Sequence, residues 1–171
     1  YNGKIYPIEE LKRMHGFAKN NNLNIHMDGA RLLNACVAKN ISPAEYSHYV
    51  DSITVSFSKG LGAPFGSILM GTKAFIEKAA RYRKWYGGGL RQSGFMAAAA
   101  LYGIKNNIPQ LAVDNKHAQL LACLLNKYGF YDVDPCKVET NIVMINLKNI
   151  GITSSEFIAL AKKRNILIYK W

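Results

Sequence analysis

The chain has 171 residues, about half of them hydrophobic, which suits one domain with part of a second and a sizeable buried core rather than disorder. No apolar run approaches the roughly 20 residues needed to span a bilayer, so no membrane partner is expected. The net charge of +11 raises nucleic acid as a partner. Lys78, Arg81, Arg83, Lys84 and Arg91 supply much of it, yet no zinc-finger, RNP, KH or helix-turn-helix pattern accompanies them. A solvated helix face or small-anion contacts explain them, and nucleic acid is set aside. Cys36, Cys123 and Cys136 are odd in number and form no CxxC pair, which disfavours metal and disulfide frameworks and points to a reducing cytoplasm.

Taken in order, residues 7–20 read as an amphipathic helix. Pro7 suits its first turn, Glu9 and Glu10 complement its positive end, and Ile8, Leu11, His15 and Ala18 share a face. Asn20, Asn21 and Asn22 end it. Residues 23–27 then form a short strand that delivers Asp28, with Gly29 allowing a close turn. Residues 30–39 are a short helix or irregular turn carrying Arg31. Ser42-Pro43-Ala44-Glu45 is a capping box that opens another helix. Residues 50–57 alternate Ile53, Val55 and Phe57 with Ser52, Thr54 and Ser56, the pattern of a half-buried strand.

Strand, helix, strand at this spacing predicts a parallel pair in an α/β sheet, with ligands at the carboxyl ends. Residues 65–71 return as a further apolar run. Thr72 caps a helix to about Tyr86, with Phe75, Ile76, Ala79, Tyr82 and Tyr86 on its apolar side. Gly87-Gly88-Gly89 breaks it. An alanine-rich helix over 93–106, suited to close backbone packing in a core or a subunit contact, and a helix over 109–127 follow. From Gly129 the pattern changes: strands at 130–133 and 141–147, a capping box from Thr153 to Glu156, a helix to Arg164 and a strand at 166–169. The expected division is therefore 1–128, part of a large α/β domain with a mostly parallel sheet, and 129–171, the start of a small α+β domain. Tyr1 and Trp171 both read as interior to a longer polypeptide.

Two residues carry the chemistry. Asp28, in H-M-D-G-A-R, and Lys59, in S-F-S-K-G-L-G-A-P-F-G-S, each follow a strand and precede a glycine. A lysine and a carboxylate from neighbouring strand ends suit pyridoxal phosphate: the amine binds the aldehyde and the carboxylate keeps the ring nitrogen protonated. Phe57, Leu61, Ala63 and Phe65 are expected to surround Lys59 and lower its pKa by partial burial. Arg31 and Arg91 are candidate anion contacts, since a guanidinium pairs with carboxylate in bidentate fashion. Arg31 suits the ring or a substrate carboxylate. Arg91, after the glycines, suits a phosphate, or a salt bridge at a surface or subunit boundary. His26 shares a strand face with Asp28 and reads as a satisfied strand histidine; Ser56 and Ser58 read as packing or surface hydroxyls. No residue spacing suggests a metal site, and GxGxxG, GxxxxGK[ST] and GxSxG are absent.

The blocks H-M-D-G-A-R-L-L-N-A, D-S-I-T-V-S-F-S-K-G-L-G-A-P-F-G-S and R-K-W-Y-G-G-G-L-R-Q-S-G, followed by V-E-T-N-I-V, resemble the L-threonine aldolases. That resemblance implies the aspartate-aminotransferase-like fold, a homo-oligomer (tetramer or dimer), and Lys59 and Asp28 in the roles just given. It implies that Arg31 contacts the cofactor or the carboxylate of a small amino-acid substrate. The reaction implied is retro-aldol cleavage of L-threonine or L-allo-threonine to glycine and acetaldehyde. Another β-eliminating or aldol lyase on the same scaffold is the alternative, and a non-catalytic basic interaction fragment is a third reading. The family's phosphate-binding half precedes these blocks, so the 171 residues alone are expected to show little aldolase activity.

Overall fold

The computed structural model describes residues 3–129, 132–147 and 150–170. Helix α1 spans Ile8–Asn20 behind the extended Pro7, and buries Leu11 and Ala18. Asn22 closes it at φ +53°, a left-handed conformation that asparagine tolerates. Leu23 still donates its N–H to Ala18 O at 2.8 Å. The helix cap therefore holds Leu23, and strand β1 begins later than its apolar residues predict, at His26–Asp28. Asp28 is thus the last strand residue rather than the first beyond it.

Helix α2 (Leu32–Lys39) and the one-turn α3 (Pro43–Ser47) connect β1 to β2 (Ser52–Ser56). Ser42 Oγ accepts from the Glu45 N–H at 3.2 Å, which is the N-cap half of the predicted capping box. β1 and β2 are parallel, pairing His26 with Ser52, Met27 with Ile53 and Asp28 with Thr54. Strand β3 (Ser67–Gly71) then pairs with β2 antiparallel, Ser56 opposite Ser67. The described sheet, β1-β2-β3, is mixed rather than mostly parallel. The cause is the short, helix-free connection 57–66: a parallel return needs a crossover of about a dozen residues or more.

Period-2 alternation sorts the strand faces. Ile53 and Val55 turn into a core shared with Leu11, Leu32, Cys36 and Tyr46, against which Ile8, Met27 and Val50 pack. Burying each such side chain contributes roughly 1.5–3 kcal/mol. His26, Asp28, Ser52, Thr54 and Ser56 occupy the opposite face.

Helix α4 (Lys73–Trp85) is capped as predicted, Thr72 Oγ1 accepting from the Phe75 N–H at 3.3 Å. Its predicted apolar side is covered only in part: Phe75 lies against Gly71 and Ile76 and Ala79 are half-buried, but no α4 residue is fully buried. α5 (Gly94–Asn106) approaches another backbone closely at Gly103, where a methyl group would stand 2.7 Å from Leu61 O. α6 (Gln110–Lys127) buries Leu111, Ala118 and Ala122 and meets α2 through a reciprocal amide pair. In that pair Asn34 Nδ2 donates to Asn115 Oδ1 and Asn115 Nδ2 to Asn34 O, both at 3.0 Å.

Beyond residue 131 the capping box is present in full, with Thr153 and Glu156 reciprocally bonded at the start of α7 (Ser154–Lys162). A short 3-10 turn covers Pro135–Lys137. Residues 141–147 and 166–169, predicted as strands, pair with no ladder among the described residues. Phe130 and Tyr131 of the remaining predicted strand lie outside them. No described helix is long and apolar enough to cross a membrane.

Candidate functional site

The parallel pairing brings the ends of β1 and β2 together. Gly29 N donates to Thr54 O at 2.7 Å, which locks the backbone just past Asp28 against β2. A side chain at Gly29 would meet that same oxygen at 2.5 Å, so the approach requires glycine. Asp28 is exposed, and its Oδ1 accepts the Ala30 N–H at 3.1 Å, leaving the carboxylate with further acceptor capacity. His26 points its Nδ1 at Ser52 Oγ, 2.9 Å away across the register, with Thr54 Oγ1 3.4 Å from Nε2. It is a satisfied strand histidine.

Asp28, His26 and Arg31 line one cavity of about 270 Å³, walled by Leu11, Met27 and Tyr46. Arg31 is half-buried, and burial pushes its guanidinium pKa below the usual value. Its Nε donates to Asn141 Oδ1 at 2.9 Å. Among the described residues no carboxylate forms an ion pair with it. A half-buried, always-charged guanidinium without an acidic partner is suited to receive an anion. The Tyr46 side chain also reaches this cavity, and its buried hydroxyl has no hydrogen-bond partner among the described residues.

Lys59 follows β2 at the apex of a tight loop, in which Gly62 N donates to Lys59 O at 2.9 Å and Ala63 N to Phe57 O at 3.0 Å. The loop turns Leu61 and Ala63 inward, where both are buried. Lys59 and Ser58 are exposed, and Phe65 keeps 57% of its surface. The expected apolar enclosure of Lys59 is therefore absent, because the turn spends those side chains on the core. Gly60 sits tightly: a methyl there would stand 2.5 Å from Leu111 Cδ2 and 3.3 Å from Asn34 Oδ1. The buried Asn34 side chain thus supports the lysine loop from below.

Lys59 is not among the residues lining the Asp28–Arg31 cavity. A second recess of about 680 Å³ runs from the end of β2 to the glycine loop. Ser56, Phe57, Ser58, Leu90 and Ser93 line it. Arg91 stands exposed between the last two, beside Gln92 at φ +54°. The structure therefore groups Asp28, Arg31 and His26 in one recess, whereas Lys59 and Arg91 line neither, although their chain neighbours Ser58 and Leu90 line the second. No group of three or more metal-ligating side chains gathers among the described residues.

Asn141 and the Asn34–Asn115 pair escape a reading of the sequence. Their partners lie 110 and 81 residues away, so no local spacing signals them.

The family described as beta-eliminating lyase matches residues 1–149. The low specificity L-threonine aldolase of Escherichia coli K12 is 40% identical over 169 residues, covering 98% of this chain and 49% of that protein. The low specificity L-threonine aldolase of Saccharomyces cerevisiae is 38% identical over 165 residues, covering 96% and 42%. Among solved structures, a presumed L-allo-threonine aldolase from Listeria monocytogenes superposes with a TM-score of 0.78 at 28% identity, over 84% of this chain and 40% of that one. The chain thus spans about half the length or less of the curated relatives it matches.

Proposed function

Because the chain belongs to the beta-eliminating lyase family, we propose that it carries the lysine-bearing part of a pyridoxal-phosphate enzyme that cleaves L-threonine or L-allo-threonine to glycine and acetaldehyde. The observation that carries this reading is the parallel pairing of β1 and β2, from whose adjacent carboxyl ends Asp28 and Lys59 emerge. The donor set fits the cofactor: an accessible primary amine, a carboxylate with free acceptor capacity, and a guanidinium lacking an acidic partner.

When bound, the cofactor supplies a protonated ring that takes up the electron pair left at the substrate Cα as the Cα–Cβ bond breaks. Asp28 would hold the ring nitrogen and favour its protonated form, as a nearby carboxylate does. Lys59 supplies the amine that binds the cofactor aldehyde and afterwards can move a proton at Cα. Arg31 orients the substrate carboxylate or a neighbouring cofactor oxygen. Arg91 contributes a phosphate contact or a subunit contact from the glycine loop.

The uncovered apolar surface from α4 through the following loop to the start of α5 supports a homo-oligomer, dimer or tetramer. Trp85, Tyr86 and Phe95 keep 74%, 86% and 90% of their surface. The free thiols Cys36, Cys123 and Cys136 fit a reducing, cytoplasmic location. Residues 129–171 are read as the beginning of the small domain.

Product analysis tests the assignment. The native protein in its full length, loaded with pyridoxal phosphate, is expected to release acetaldehyde and glycine from L-threonine. Ammonia and an oxo acid in their place would support the second reading, a β-eliminating lyase, which the matching family's description favours. No turnover of either kind by a loaded protein would overturn both.

A further inference from the structure

The side chain that sets Arg31 comes from far along the chain. Arg31 Nε donates to Asn141 Oδ1 at 2.9 Å across 110 residues. Asn141 is held in turn by its neighbours. Glu139 Oε2 accepts the Ile5 N–H at 2.8 Å, and Thr140, only 1% exposed, donates its hydroxyl to Gly3 O at 2.6 Å. Segment 139–141 is thereby pinned to segment 3–5 at one end and to Arg31 at the other. A guanidinium offers five N–H donors, and the Nε contact uses one, leaving the terminal nitrogens as a fork beside the cavity that Arg31 and Asp28 line.

From this geometry we propose that Asn141 is a positioning residue, which orients Arg31 for the carboxylate of an α-amino acid without neutralising it. The inference rests on the reading of Arg31 as a carboxylate contact. The chemical identity of Asn141 is what matters. An amide oxygen holds the Nε–H while leaving the positive charge whole. A carboxylate of the same shape would hold it more tightly, by a charge-assisted bond, and would compete with the substrate for the fork.

That contrast makes the test, because a structural role and a positioning role predict opposite results for Asn141→Asp. In the native protein loaded with pyridoxal phosphate, N141D is expected to raise the dissociation constant of glycine and the KM for L-threonine by about ten- to a hundredfold, the range for losing a charged hydrogen bond. kcat should stay within about threefold, and the thermal midpoint should be equal or higher. Asn141→Ala, which frees the guanidinium without neutralising it, is expected to weaken glycine binding less than N141D does. Wild-type glycine affinity in N141D would overturn the inference, as would equal weakening in both variants with lowered midpoints. Arg31→Lys separates the layers. If it weakens glycine binding while N141D does not, only the role of Asn141 fails; if it too binds glycine as wild type, the carboxylate reading of Arg31 fails with it.

Discussion

Replacing Gly29 by alanine puts the junction of β1 and β2 under direct load. The added methyl would stand 2.5 Å from Thr54 O, 3.2 Å from Leu32 Cβ and 3.3 Å from Ile53 Cγ1. Thr54 O cannot swing aside, since it is backbone of a strand paired on both edges and already accepts the Gly29 N–H at 2.7 Å. Relief must come from separating β1 from β2 or from disturbing Leu32 and Ile53, both in the core. Overpacking of this kind costs about 1–3 kcal/mol, and weakening the hydrogen bond adds about 0.5–1.5 kcal/mol. Entropic restriction of the unfolded chain offsets about 0.4–1 kcal/mol of that. A net loss of about 2–3 kcal/mol is expected, a large part of the roughly 5–15 kcal/mol that holds a domain folded. Urea unfolding followed by circular dichroism measures it. Gly16→Ala is the control: nothing lies within 4 Å of a methyl at that helical site, so it should stabilise by about 0.5–1 kcal/mol. Equal stability of G29A and wild type would refute the steric reasoning. A lost Asp28 function without lost stability would show the strain being absorbed by the carboxylate's own turn.

Three further outcomes are expected. Burial pushes the Cys36 thiol up to about 11, whereas Cys123 and Cys136 are exposed, so maleimide at neutral pH should label two thiols quickly and the third only on unfolding; rapid labelling of all three would contradict the packing of α2. The same raised thiol favours the folded state only while protonated. Stability should therefore decline as pH rises from about 9.0 through about 11, and Cys36→Ala should flatten that part of the profile. Tyr46→Phe removes a buried hydroxyl without a partner and should stabilise by about 1 kcal/mol in thermal unfolding, while a loss of that size would mean that the hydroxyl is satisfied.

Local features were readable where short-range chemistry decides them. Thr72, Ser42 and the Thr153–Glu156 box cap their helices as their spacing dictates, and Asn22 ends α1 in the left-handed conformation. The alternation of Ile53 and Val55 with serine and threonine correctly assigned the inner face of β2. Long-range competition decided the rest. The direction of β3 depended on the length of its connection, not on its own residues. Periodicity gave α4 an apolar side but could not say that no residue on it would be fully buried among the described residues. At the site, glycine after Asp28 was a valid sign of close backbone approach. The same sequence window misjudged the burial of Lys59, because which of Phe57, Leu61, Ala63 and Phe65 turn inward depends on the loop's hydrogen bonds. Asn141 was invisible, since its role exists only once residues 31 and 141 are adjacent.

The central claim is that Lys59 is the covalent anchor for pyridoxal phosphate, and chemical trapping tests it most directly. Borohydride reduction of the loaded native protein converts a lysine-bound aldehyde into a stable secondary amine, which peptide mass spectrometry can locate. The modification is expected on the peptide containing Lys59, with loss of both the label and the visible absorbance in Lys59→Ala. A label on another lysine, or a Lys59→Ala protein that retains the absorbance, would contradict the assignment.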